Sequence, residues 1–474
     1  MTSPLILVTG ATGYIASRLI PRLLDLGYNV RALARDPRRL AARSWFDKIE
    51  VIQADVTTPS TLARALDGVD TAYYLIHNMS RGYGYTSLEL NAARNFAQAA
   101  EQAGVKHIIY LGGLADPEQH IAPHLRSRIE TGKVLREGKV PVTEFRAGVI
   151  AGSRSISFEM IRFMTELLPI VPGPLWMNNK TQPIAIQNII DYLVVALENK
   201  SGQGKVFEIG GPDIMAYKDT MLRYARMREL SRRTVLLPGI PVWFMAFGVH
   251  LMTPVPYPIA HALIGGLAAD SVVKHPEALK VFPEVKLIDF DTATRDALEK
   301  THPSHIERVW DVPGDFGSLS EDDPNRNDSR KMSPSRASRR HGDASEVWST
   351  LKHEGCFIDH RMMKVNSSPE SVFQAVMKII SKYGWHVEEE EKNCRSLVRD
   401  TGRRFGNWWV DWRVVRHAGR EACPKGGSVT YISQTVFFSP HGLPGFLYWI
   451  LLYPSHCSRF RGLIRGIVRQ SQSS

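Results

Sequence analysis

The stretch Val8-Thr9-Gly10-Ala11-Thr12-Gly13-Tyr14-Ile15-Ala16 constrains this chain more than any other. It follows Leu5-Ile-Leu-Val-Thr9, a continuous apolar run of the kind buried on both faces of a parallel sheet. Behind it, Ile15, Leu19, Leu23 and Leu26 recur at helical spacing and Gly27 closes the helix. Strand, glycine turn, helix is the first βα unit of a dinucleotide-binding sheet. Gly10 permits the tight turn, Gly13 lets the backbone approach a pyrophosphate, and Ala16 allows close helix-to-strand packing. The amides of Thr12, Tyr14 and Ile15, at the opening of the helix, face the anionic phosphates. Pro21 is expected to cost this helix a hydrogen bond and to bend it.

The alternation continues. Strands are expected at Val30–Leu33, Glu50–Gln53, Thr71–Ile76, His107–Leu111 and Val142–Phe145, with a late one at Lys205–Ile209. Helices are expected at Ser60–Leu66, Ser87–Ala103 and His124–Glu137. This is the pattern of a doubly wound parallel α/β sheet, a Rossmann fold. From about Ala151 to Trp310 helical runs alternate with Pro-rich loops, which reads as a substrate-covering region built onto the sheet.

The second strand bears on the cofactor. An acid at its end pairs with a ribose 2′-OH and selects NAD. Here the chain reads Arg31-Ala-Leu-Ala-Arg35-Asp36-Pro37-Arg38-Arg39. Arg35, just past the strand, stands where a 2′-phosphate would lie, so NADP is the expected cofactor, with Asp36 keeping NAD as the alternative. Arg38 and Arg39 read as a solvated basic turn.

Composition limits the remaining options. Lys and Arg number 59 against 48 Asp and Glu, a net charge of +11. That excess suits phosphate-bearing ligands or an anionic surface, but a solvated surface with a basic linker accounts for it as well. The four cysteines, Cys356, Cys394, Cys423 and Cys457, form no C-x-x-C pair, so neither a disulfide framework nor a metal site is expected. No apolar run approaches the length of a membrane span. The segment Leu237–Met252 carries no Lys or Arg on a polar face, so membrane contact is not expected, or at most a peripheral one. A strand beginning by Leu5 leaves no room for a leader peptide, and a cytoplasmic location is the default. Nucleic-acid binding has only the charges of the linker behind it. The sequence leaves oligomeric state open.

From 318 to 345 the chain is rich in Ser, Arg and Asp and nearly free of apolar residues, a disordered linker in composition. Three regions follow: a nucleotide-binding domain over 1–315, the linker over 316–345, and a smaller α+β domain over 346–474. In the last, strands are expected at Arg361–Val365, Trp408–Val415 and Val429–Phe438, a helix at Pro369–Tyr383, and a closing helix from about Tyr448 or later.

Thr9-Gly10-x-x-Gly13-x-x-Ala16, the Arg-rich second strand end, Ala54-Asp55-Val56 and Asn91 together resemble the atypical short-chain dehydrogenase/reductases, nearest the NmrA-like and complex-I-accessory-like branch. The resemblance covers about residues 1 to 310. It implies that Asp55 and Val56 flank the adenine, and that Leu75, Ile76 and His77 line the ribose region. Asp359-His-Arg-Met-Met-Lys-Val-Asn-Ser-Ser-Pro369-Glu-Ser-Val-Phe373 resembles the opening of a helix-grip domain (START-like, polyketide-cyclase-like). That likeness implies an apolar ligand cavity, which Trp408, Trp409, Trp412, Tyr448 and Trp449 would line; an aromatic core is the other reading of the same residues.

The chain departs from the short-chain reductase pattern at the chemistry. No Tyr-x-x-x-Lys pair opens the fifth helix, which reads His124-Leu-Arg-Ser-Arg128, and Gly112-Gly113 stands where a Ser is usual. His124 and Arg128 share a helix face at i, i+4. His124 is the candidate proton donor and Arg128 the candidate contact to ribose or phosphate. Two functions follow. One is an NADP(H)-dependent oxidoreductase reducing a carbonyl or activated double bond of an apolar small molecule. The other is a non-catalytic NADP(H)-binding redox sensor or accessory protein.

Overall fold

Alternate residues of the first strand belong to different cores. Ile6 and Val8 pack with Leu19, Ile20 and Leu23 of the first helix, while Leu7 packs with Leu33, Ala93, Phe96 and Ile108 on the other side. Both faces of the strand are therefore apolar and both are covered, which is why the run reads as uninterrupted. Each such side chain contributes about 1.5–3 kcal/mol by leaving water.

The computed structural model describes residues 4–40, 43–77, 85–116, 118–119, 121–253, 255–303, 349–350, 357–391, 394–400, 405–417 and 429–472. Those up to 303 form one unit and those from 349 onward a second. The expected linker, 316–345, lies outside the described residues.

The first unit is built on seven parallel strands: β1 (Leu5–Val8), β2 (Asn29–Ala34), β3 (Glu50–Gln53), β4 (Thr71–Tyr74), β5 (His107–Gly113), β6 (Val142–Ala147) and β7 (Val206–Ile209). Their order is β7-β6-β5-β4-β1-β2-β3. The chain reverses direction of growth at β1, so the loops after β1 and β4 flank an open crevice at the carboxyl edge. The first helix, Ala16–Asp25, runs through Pro21, which sits inside it. Helix Tyr85–Gln102 leads from β4 to β5, and helix Pro123–Arg136 from β5 to β6. Beyond the sheet, helices Ile156–Leu167, Tyr217–Met227, Val242–Met252 and Tyr257–Gly266 enclose a separate apolar cluster.

The second unit is a six-stranded antiparallel sheet: β8 (Ser349–Thr350), β9 (Phe357–Val365), β10 (His386–Glu391), β11 (Arg395–Asp400), β12 (Gly406–His417) and β13 (Val429–Pro440), in the order β8-β9-β13-β12-β11-β10. The Ser368 side chain caps helix Pro369–Tyr383, and Gly384, at φ +63°, ends it. The closing helix is longer than expected, Gly442–Gln472. Pro444 falls in its first turn, where proline is tolerated because its missing N–H has no partner to lose.

Of the two readings of the tryptophans, the rings pack as a core. Trp408 lies 4.7 Å from Phe438 and 5.3 Å from Trp449, centroid to centroid. Trp412 is fully buried against Trp385, and its Nε1 donates to Gln434. Trp409 faces the other way, over Arg399, and donates to Glu388. Beneath the closing helix lies a buried polar group. Arg361 donates twice to Asp359, at 2.7 and 2.9 Å, and Tyr453 donates to the same carboxylate at 2.9 Å. Arg361 also reaches Cys457 Sγ at 3.4 Å.

Candidate functional site

The glycine turn is shaped as its sequence demands. Gly10 has φ +64°, and a Cβ there would stand 2.7 Å from the Leu75 carbonyl oxygen. Thr9 fixes the neighbouring loop, its Oγ1 accepting from the Leu75 amide at 3.0 Å. The Gly13 amide donates to Gly10 O at 2.8 Å, which closes the turn. The helix that follows has no side-chain cap and no acid in its first turn. Its positive end is thus left to an external anion.

A groove of about 700 Å³ opens from this turn. Gly10, Thr12, Gly13, Tyr14 and Ile15 line one end, and Arg35, Asp55 and Val56 the end past β2 and β3. Leu75, Ile76, His77 and Arg128 line its floor. Asp55 is held by Thr57, whose amide and hydroxyl both donate to Oδ1. Arg39, read from sequence as part of a solvated turn, lines the groove beside Arg35 and Asp36. The short 3-10 turn Pro37–Leu40 carries it there, so Arg39 joins Arg35 at the same rim. The signal was Pro37, which turns the chain just after Asp36.

At the carboxyl end of β5 the polar groups converge. His77 Nδ1 lies 3.0 Å from Glu89 Oε1, and Ser127 Oγ donates to Glu89 Oε2 at 2.5 Å. Residues far apart in the chain meet here through sheet topology, so no local pattern revealed Glu89. Arg128 donates to Leu111 O at 2.5 Å, while its backbone carbonyl accepts from Tyr110 at 2.9 Å. Gly113 is needed in this packing: a Cβ would meet Leu125 Cδ2 at 2.9 Å and Arg128 Cδ at 3.3 Å. The serine usual at this strand end is therefore displaced by the two side chains from the following helix. Burial, and then the nearby charges of His77 and Arg128, push the His124 imidazole down to about 4. His77 is lowered as well, by burial and then by Arg128. The His124 ring is therefore neutral at pH 7.

His124 does not line the groove. It lines a second cavity, of about 140 Å³, walled by Met160, Met164, Trp176, Met221, Met245 and Leu263. This cavity is almost wholly apolar, with Ser157, Tyr217, Thr220, Asp270 and Ser271 supplying its few polar atoms. Gly266 makes room for the histidine: a Cβ would stand 3.0 Å from His124 Cε1. One helix, Pro123–Arg136, thus turns Arg128 toward the groove and His124 toward the apolar cavity.

Residues 2–197 match the model of the NmrA-like family. The amino-terminal part thus resembles that family over those residues. A (4-alkanoyl-5-oxo-2,5-dihydrofuran-3-yl)methyl phosphate reductase of Streptomyces griseus is 28% identical over 274 residues, 55% of this chain and 85% of the reductase. The triphenylmethane reductase of Citrobacter sp. shares the fold over 63% of this chain and all of its own, with a TM-score of 0.51 at 18% identity. An NADPH-dependent quinone oxidoreductase of Escherichia coli does so over 61% of this chain and 98% of its own, with a TM-score of 0.50 at 19% identity. The relatives of the first unit thus include a reductase of a small molecule. No described helix is long and apolar enough to cross a membrane, and no described cluster of His, Cys, Asp or Glu is suited to a metal.

Proposed function

We propose that the NmrA-like unit is an NADP(H)-dependent reductase acting on a carbonyl or activated double bond of an apolar small molecule. The observation that supports this is that helix Pro123–Arg136 contributes to the walls of both cavities, Arg128 lining the groove and His124 the apolar one. The groove suits a dinucleotide: the backbone at Gly10 leaves no space for a side chain, the helix end is uncapped, and two arginines stand at the far rim. Gly10, Thr12, Gly13, Tyr14 and Ile15 would hold the pyrophosphate, Asp55 and Val56 the adenine side, and Leu75 and His77 the second ribose. When bound, a reduced nicotinamide supplies hydride.

The protein's own contribution is charge and exclusion of water. Arg128, whose guanidinium lines the groove, would hold a ribose hydroxyl or phosphate of the cofactor, while the substrate oxygen would lie in the other cavity. His124 acts as a neutral hydrogen-bond donor that orients that oxygen; as a ring that stays neutral at pH 7, it is poorly matched to releasing a proton there. The proton that completes the reduction then comes from water at the cavity mouth. The methionine and tryptophan walls select an apolar body and keep the reacting edge dry.

Turnover of NADPH with a panel of quinones, enals and aromatic ketones tests this. His124→Ala is expected to lower kcat/KM by about tenfold to a hundredfold, the scale of one lost oriented hydrogen bond. NADPH affinity should stay unchanged. Tight NADPH binding without turnover of any panel member would favour the sensor or accessory reading, to which the missing Tyr, Lys and Ser point. Arg35 and Arg39 carry the cofactor preference. Arg35→Ala with Arg39→Ala should weaken NADPH by about tenfold to a hundredfold and leave NADH nearly unaffected, since only the 2′-phosphate is lost as a partner. Equal losses for both cofactors would sink the assignment.

A further inference from the structure

Residues 234–269 contain no Asp, Glu, Lys or Arg. In a chain that is 23% charged, so long an uncharged run needs a physical reason. Core burial accounts for one side of it only. Met245 and Val249 of helix Val242–Met252 line the apolar cavity, as do Leu263 and Ile264 of the neighbouring helix. On the outward side of the same helix Trp243 is 58% exposed, Phe244 54%, Phe247 53% and Leu251 58%. Val235 and Leu237, on the short strand just before it, are exposed too. A helix apolar on every side belongs in a core or in lipid, and this one has one side packed and the other exposed.

We propose that this face rests on an anionic lipid surface, and that the apolar substrate passes from the lipid into the cavity behind the helix. The inference rests on the reductase reading for its second half only. Two features favour lipid over a protein partner. The exposed residues are led by Trp and Phe, which settle at the boundary of hydrocarbon and headgroups. The uncharged run is also preceded by a cluster of arginines, of which Arg226 and Arg233 are exposed while Arg232 is tied back to the Thr165 and Glu166 carbonyls. Arginines flanking an apolar face complement phosphate headgroups. Because the wall of the cavity and the membrane-facing surface are two sides of one helix, an apolar molecule need not cross bulk water to enter.

The test is co-sedimentation of the full chain with vesicles of phosphatidylcholine, alone or mixed with phosphatidylserine, with NADPH titration of each variant as an independent check of folding. The wild type should partition onto the mixed vesicles, and Trp243→Asp with Phe247→Asp should reduce this by about tenfold or more. Arg226→Glu with Arg233→Glu should abolish the preference for phosphatidylserine. Neither pair lines the groove, so NADPH affinity should be unchanged in both. Absence of vesicle binding, or binding indifferent to the aspartates, would overturn the proposal. A wild-type dimer in solution, split by the aspartates and blind to vesicles, would assign the face to a second copy instead. Vesicle binding by a protein without turnover would leave the lipid contact standing and remove the reductase reading.

Discussion

Gly10→Ala is expected to weaken NADPH binding by about a hundredfold while the second unit melts unchanged. Two costs add. A non-glycine residue in left-handed backbone conformation costs roughly 1–2 kcal/mol. The added methyl group also finds the Leu75 carbonyl at 2.7 Å, and that atom is backbone, tied to Thr9 through the adjacent amide. The turn must therefore shift as a whole. A shift there moves the amides meant for the pyrophosphate and opens the crevice between the loops after β1 and β4. Since about 1.4 kcal/mol is a factor of ten in affinity, a total of roughly 2–3 kcal/mol gives the stated loss. Fluorescence titration with NADPH measures it, and circular dichroism reports whether the sheet remains. An unchanged affinity would show that the cofactor, if any, binds elsewhere, and both functional readings would go with it.

Asp359→Ala should produce the largest loss of stability, about 3–5 kcal/mol, confined to the second unit. Asp359 and Arg361 are each almost wholly buried, and the carboxylate accepts from Arg361 and from Tyr453. Removing it leaves a guanidinium in a low-dielectric site and strands the Tyr453 hydroxyl. In the intact group, burial and then the adjacent carboxylate push the Tyr453 hydroxyl well above its usual range. The transition followed by fluorescence, to which buried Trp408 and Trp412 contribute, should fall by about 10 °C or more. Replacing both partners, Asp359→Leu with Arg361→Met, should recover most of the loss, because no uncompensated charge remains. A single mutant as stable as the wild type would mean that the pair is hydrated.

Much of the first unit was legible because the physics there is local. Apolar runs such as Leu5–Val8 and His107–Gly113 are buried on both faces, and Gly27 closes a helix in plain view. The glycine loop was readable for the same reason, since Gly10 has one neighbour that forbids a side chain and lies where the motif requires it. What escaped notice depends on distance in the chain. Glu89 matters through His77 and Ser127, and only the stacking of β4 beside β5 brings them together. The apolar cavity is assembled from helices spread over residues 156 to 267, none of which shows more than a buried side on its own. Strand β10 was missed because its Glu-rich sequence alternates nothing apolar; it is an edge strand, where charge is the rule.

One arrangement near the site has a bearing on how such a protein can be altered. Glu144, fully buried on β6, sits between Arg146, whose Nε donates to it at 2.6 Å, and Arg136 at the end of the helix that carries His124 and Arg128. Gly132 closes over the carboxylate so tightly that any Cβ would lie 2.3 Å from Oε2. That helix is bolted to the sheet at its far end and cannot swing or slide without parting Arg136 from a buried carboxylate. Variation in which molecules are accepted must then come from the opposite wall, where Met160, Met164, Met221 and Met245 offer unbranched side chains that repack cheaply. A library aimed at new substrates belongs on those four positions, and Gly132, Arg136 and Glu144 should be left as the fixed jaw of the vice.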